Sequence, residues 1–213
     1  TKGFGEKTQE TIIQNLLFKA STSGKWLYAD IEETILALAA QLQQVLPKAQ
    51  VRVVGDFARR MEILTEGEFL IASEDLVATK ANLSQVEGVV WDKPISGPMT
   101  WRGKLEEPEL QLVIHFCSLD ELASKELLFV ASKAHLGTWV NEQETVGELI
   151  RKSKFESEAE FFQLNEMQFI PREMREGLGE VELAKAGTLP TLLENSDLKG
   201  ILHNHSTYSD GKH

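Results

Sequence analysis

The sequence predicts an α+β fold, a mixed or antiparallel sheet flanked by helices. Three observations carry that prediction. Residues 12–46 place apolar side chains at helical spacing, residues 51–116 break into short apolar runs separated by turns, and helical spacing returns after Leu119. With 42% hydrophobic and 26% charged residues among 213, the chain can bury one sizeable core or two small ones.

Taken in order, the elements justify themselves locally. "GFGEKT" is a glycine hairpin whose two glycines permit positive φ and close backbone approach, feeding a helix that carries Ile12, Ile13, Leu16 and Leu17. A second amphipathic helix is predicted from Asp30 to Leu46, with Ile31, Ile35, Leu38, Leu42 and Leu46 on one face. Asp30 is its expected N-cap, Glu33 stands three on, and Pro47 ends it. The runs "VRVVG", "EFLIAS", "VEGVVW", "MTWRG" and "ELQLVIHF" read as the strands of a sheet. Helices are expected at Leu119 to Ala131 and around Glu144 to Lys152. From about Phe155 the acidic, Gly- and Pro-bearing stretch predicts a partly ordered linker leading to a new strand at Leu198 to His203.

Charge and composition exclude several function classes. The chain has 22 basic and 33 acidic residues, a net charge of −11, so any grip on nucleic acid must come from local cations. No apolar run approaches the roughly 20 residues that span a bilayer, and residues 1–20 lack the features of a secretion signal, so the chain reads as cytoplasmic with no membrane partner. Its single cysteine, Cys117, lies in an apolar run and reads as a buried small hydrophobe.

Three constellations can carry chemistry. Successive N–H groups at the start of the first helix, with Lys7 beside them, can face a phosphate; a tight turn capping a helix explains the same residues without a ligand. Glu66 and Glu68 stand two apart on a strand, so both carboxylates leave one face and can converge on a divalent metal, or stand solvated. His203 and His205 share a face after an apolar strand, and Asp210 returns through a Ser-Asp-Gly turn, a pattern fit for metal. His115, in an apolar strand, and His135, after a helix, show no ligand spacing.

In this order, the glycine hairpin, amphipathic helix, "VVGDFARRMEI", acidic pair, "LLFVASKAH" and terminal histidine strand together resemble the bacterial family X DNA polymerases. Those proteins join a DNA polymerase beta-like core to a C-terminal PHP phosphoesterase domain. The resemblance implies a helix-hairpin-helix fingers remnant over 1–48, a nucleotidyltransferase-like palm over 49–140 and a thumb over 141–185. Residues 186–213 would be a linker and the first strand of a PHP domain. By the same match, Gly3, Gly5 and Lys7 would contact the DNA backbone, although Lys2 stands where a proline is usual. Gly55, Asp56 and Arg59 would face the triphosphate, and Glu66 and Glu68 would hold Mg or Mn. His203, His205 and Asp210 would hold Zn or Mn in the full PHP domain, needing ligands from beyond His213.

The match also exposes departures. Asp56 replaces a serine where phosphates dock, though Arg59 survives as a clamp. Glu66 and Glu68 replace an Asp-x-Asp, adding a methylene where magnesium tolerates little geometric error. The third carboxylate, expected at Gln111 or Val113, is absent. Ala131 stands for a glycine and Leu136 for an asparagine in the nucleotide pocket. The expected function is therefore a polymerase-like core inactive in nucleotidyl transfer that positions gapped or nicked DNA for the PHP nuclease domain. Two alternatives remain: an active gap-filling DNA polymerase taking deoxynucleoside triphosphates in base-excision repair, or an acidic module that binds a protein partner.

Overall fold

Short apolar runs build a mixed five-stranded sheet in the centre of the chain. The computed structural model describes residues 5–200, and for residues 6, 7 and 18–21 the backbone only. Helix α1 (Glu6–Thr22) leads through strand β1 (Trp26–Leu27) into α2 (Tyr28–Val45), then β2 (Gln50–Val54), α3 (Gly55–Ala58), β3 (Ile63–Leu64), β4 (Glu66–Ala72) and α4 (Leu76–Asn82). Strands β5 (Val89–Asp92), β6 (Thr100–Leu105) and β7 (Leu110–Cys117) complete the sheet. The C-terminal lobe holds α5 (Leu122–Phe129), α6 (Lys133–Leu136), α7 (Val146–Lys152), α8 (Glu158–Leu164) and α9 (Glu180–Ala186).

The strand order is β2-β4-β7-β6-β5, with β4 and β7 parallel and the other pairs antiparallel. On one face Phe69, Ile71, Leu112, Ile114 and Phe116 pack against Ile31, Ile35, Leu38 and Leu42 of α2. Ile31 and Ile35 are fully buried, and each contributes about 1.5–3 kcal/mol by leaving water. On the other face Leu70, Ala72, Val54 and Cys117 meet Val130 beside α5. Burial pushes the Cys117 thiol up to about 12, so it is an inert core residue as the sequence implied.

Several expectations need correcting. Helix α2 starts at Tyr28 rather than Asp30, and Asp30 lies in its first turn instead of capping it. The reason is the small antiparallel ladder β1–β3: it fixes the chain entry, and the Tyr28 N–H donates to Glu62 O at 2.9 Å, so no side-chain cap is used. Gly5 caps α1 with φ −79°, extended backbone open to any residue, so the positive φ that glycine permits is not used there. The amphipathic face of α1 stays exposed, from Ile12 at 41% to Leu16 at 61%.

The stretch from Phe155, expected to be a partly ordered linker, is folded. Its acidic residues start helices and pair with cations instead of keeping the chain solvated. Ser157 accepts from Glu160 N–H to start α8, and Phe161, Phe162, Ile170, Val181 and Ala184 form a core with Val146 and Ile150 of α7. Glu158 accepts from Arg172 and Arg175, each at 2.6 Å. The strand expected at Leu198 to His203 is absent over Leu198–Gly200, which has no regular structure; the remainder lies outside the described residues.

His135, which shows no ligand spacing along the sequence, is a buried anchor of this lobe. Its Nδ1 lies 2.5 Å from Glu180 Oε1, and the same carboxylate accepts from the N–H groups of Gly177 (2.7 Å) and Leu178 (2.6 Å). Burial lowers the His135 pKa below its ordinary 6.5, against the pull of Glu180, which gives a neutral ring donating from Nδ1. Its Nε2 is buried without a partner, which a neutral ring tolerates better than a charged one. Burial raises the pKa of Glu180, but hydrogen bonds from His135 and the backbone outweigh it and hold the group below 4.5. Both groups bind protons less readily folded than unfolded, so their stabilisation is complete above pH 6.5 and is lost as pH falls through the folded values. The urea midpoint is therefore expected to drop between about pH 8 and about pH 5. An unchanged midpoint would contradict this assignment.

Candidate functional site

Because β4 and β7 run parallel in register, residues facing the same way are fixed by pairing. Glu66 lies beside Gln111, Glu68 beside Val113 and Leu70 beside His115. From β6, Lys104, Arg102 and Thr100 pair with Gln111, Val113 and His115 respectively. One face of the sheet thus carries Glu66 and Glu68, as their spacing required, with His115, Arg102 and Lys104 around them.

The two carboxylates diverge. Glu66 leans toward Arg102, its Oε2 lying 3.8 Å from an Arg102 terminal nitrogen, and lines a cavity of about 340 Å³ with Asp92, Lys104 and Gln111. Burial raises the Glu66 pKa above 4.5, helped by the Glu68 carboxylate and opposed by Arg102. Glu68 turns the other way. Its Oε2 lies 3.4 Å from His115 Nε2, and its Oε1 packs against Gly55, where a Cβ would come within 2.1 Å. Gly55 has φ +69°, a second reason for glycine at the turn from β2 into α3. The His115 ring stacks on Phe129 with centroids 3.9 Å apart, and its Nδ1 lies 3.3 Å from Thr100 Oγ1.

Sequence reasoning missed His115. Its signal was available, because it stands two residues after Val113 on the same strand and must share the acidic face.

Asp56, Arg59, Ala131 and Leu136, which the resemblance gathers into one pocket, do come together. With Gly55, Glu68, Lys125, Lys133 and Arg151 they line a cleft of about 640 Å³ between the sheet and the C-terminal lobe. Within it Arg59 is already engaged. Its side chain is 8% exposed; one terminal nitrogen donates to Asp56 Oδ1 and its Nε–H to Glu176 Oε1, both at 2.5 Å. The free phosphate clamp expected from the sequence is therefore tied up by two carboxylates, one of them from a residue that sequence reasoning did not single out.

These side chains do not fit the paired-metal site that the resemblance implies. Glu66 and Glu68 address different partners, and the neighbouring positions hold Gln111 and Val113, the latter 2% exposed. Among the described residues no group of three or more His, Cys, Asp or Glu is arranged for a metal ion. Gly3, His203, His205 and Asp210 lie outside the described residues. Lys7 falls in the first turn of α1, but its side chain is not among those described. Among the described helices none is long and apolar enough to cross a membrane.

No family model matches the chain, and a search of curated proteins finds no match. The functional reading therefore stands on residues and geometry.

Proposed function

We propose that the chain is a family X polymerase-like core that has lost nucleotidyl transfer and positions gapped or nicked DNA for a PHP metallo-phosphoesterase domain. In this reading residues 49–140, the five-stranded sheet with α5, are a nucleotidyltransferase-like palm. Residues 1–48 are a helix-hairpin-helix remnant, residues 141–185 a thumb, and His203, His205 and Asp210 belong to the PHP metal site.

One observation carries the reading: the acidic pair is split, with Glu68 drawn onto His115 and Gly55 and Glu66 toward Arg102, while Val113 fills the neighbouring position. Nucleotidyl transfer needs carboxylates converging on two ions about 3.5–4 Å apart, and this arrangement offers diverging ones. DNA contact has local support despite the acidic net charge. Arg102 and Lys104, 44% and 45% exposed, stand on the same sheet face; their pairs with Glu66 and Glu109 are exposed and weakly held, and cations so placed can exchange a carboxylate for a backbone phosphate without reading bases.

The test is a titration of gapped DNA at two salt concentrations, with and without manganese or magnesium and nucleotide. Negligible incorporation with either metal is expected, together with weak DNA binding that disappears as salt rises. Robust template-dependent extension would overturn the proposal in favour of a gap-filling polymerase. Failure to bind DNA even at low salt would overturn it in favour of a protein-binding module.

A further inference from the structure

The Arg59 guanidinium is held by carboxylates from two distant parts of the chain. Asp56 reaches it from the preceding turn of α3, and Glu176 from a loop 117 residues further on. Exposed ion pairs are often incidental, but this arginine is more than nine-tenths buried and directs separate N–H groups at separate carboxylates. A guanidinium recognises carboxylate and phosphate oxygens through the same donors, so a carboxylate seated on it excludes a phosphate.

Glu176 is delivered by a rigid loop. The next residue, Gly177, has φ +75°, and a Cβ there would come within 2.7 Å of the Ala134 backbone. Its N–H and that of Leu178 are fixed on Glu180, which His135 holds in turn. Arg60 and Glu173 add a second link between the same two regions at 3.3 Å. The cleft that Arg59 lines also carries the cations Lys125, Lys133 and Arg151, set against the carboxylates of Asp56 and Glu68.

We propose that Glu176 is an internal plug. Its carboxylate occupies the place on Arg59 that a phosphate group would take, and so closes an anion-receptive cleft to condensed phosphates such as pyrophosphate or tripolyphosphate. The inference rests on the polymerase-like reading of the cleft and adds its regulation: the C-terminal loop keeps the site shut against its own class of ligand.

The probe is inorganic tripolyphosphate, titrated calorimetrically at constant ionic strength against the whole chain. Glu176→Gln keeps the shape and removes the charge, and is expected to bind at least about tenfold tighter than the unaltered chain. Glu176→Asp withdraws the carboxylate by about 1.5 Å and is expected to give a smaller gain. Adding Arg59→Gln to Glu176→Gln should return binding to the starting level, whereas adding the charge-matched Lys152→Gln, on an exposed side chain that does not line the cleft, should leave the gain in place, a difference that a general charge effect would not produce. Circular dichroism establishes that each variant is folded; if Glu176→Gln unfolds, Glu176→Asp decides. Binding no tighter than that of the unaltered chain, or a gain that survives loss of Arg59, overturns the plug. Incorporation of nucleotides by the unaltered chain is a separate readout, and its appearance would overturn the functional reading while leaving this titration to judge Glu176.

Discussion

Arg175→Ala is expected to destabilise the chain by about 3–5 kcal/mol, measured as a fall in the urea or thermal midpoint. Arg175 is fully buried, and burial pushes its pKa down. Its Nε–H donates to Ile170 O at 3.0 Å, and a terminal nitrogen donates to Glu158 Oε2 at 2.6 Å. The other terminal nitrogen has no hydrogen-bond partner, and the guanidinium lies over the rings of Phe162 and Phe169. Alanine removes a charge that neutralises a 12% exposed Glu158 and leaves a cavity against the packed rings of Phe162 and Phe169. Arg175→Met separates the two costs. An apolar side chain of similar length fills the space, and Glu158 keeps Arg172, so roughly half the loss is expected. Equal losses for both variants would mean that the charge, and not the packing, holds the lobe.

Glu180→Ala is expected to cost about as much, roughly 3–5 kcal/mol, for a different reason. One carboxylate satisfies three donors, His135 Nδ1–H and the N–H groups of Gly177 and Leu178, and alanine leaves them all unpaired in a region where His135 is 1% exposed. The loss has a consequence at the cleft. The loop that presents Glu176 to Arg59 is pinned by those two N–H bonds, so its amides are expected to exchange with solvent faster while the β4–β7 ladder keeps its protection. Hydrogen exchange that rises uniformly over the chain would instead mean that Glu180 acts only on global stability.

Much of the fold was legible because its cause is local. The runs at 66–72 and 110–117 are largely apolar because both faces of these central strands are covered: Phe69 and Ile71 face α2 while Leu70 and Ala72 face α5. The same arithmetic put Glu66 and Glu68 on one face. The stretch 155–187 was misread because acidic density ordinarily marks solvated chain. Here Glu158, Glu160 and Glu180 are absorbed as first-turn residues and partners of Arg172, Arg175 and His135, which no window of sequence reveals. Asp30 was misplaced as a cap because a two-residue ladder to Ile63 and Leu64 decides where α2 begins.

By itself, then, the sequence determined the strands of the central sheet and the helices α2, α5 and α7, that two carboxylates share a sheet face, and that neither Gln111 nor Val113 beside them is an acid. Those are consequences of side-chain period and residue identity, which chain neighbours suffice to express. Only the tertiary structure decided that Glu66 and Glu68 turn apart, that His115 draws one of them in, and that Arg59 is engaged by a carboxylate 117 residues away. Charge pairing acts through space and follows no period along the chain, so partners remote in sequence become visible only once packing has set their distances.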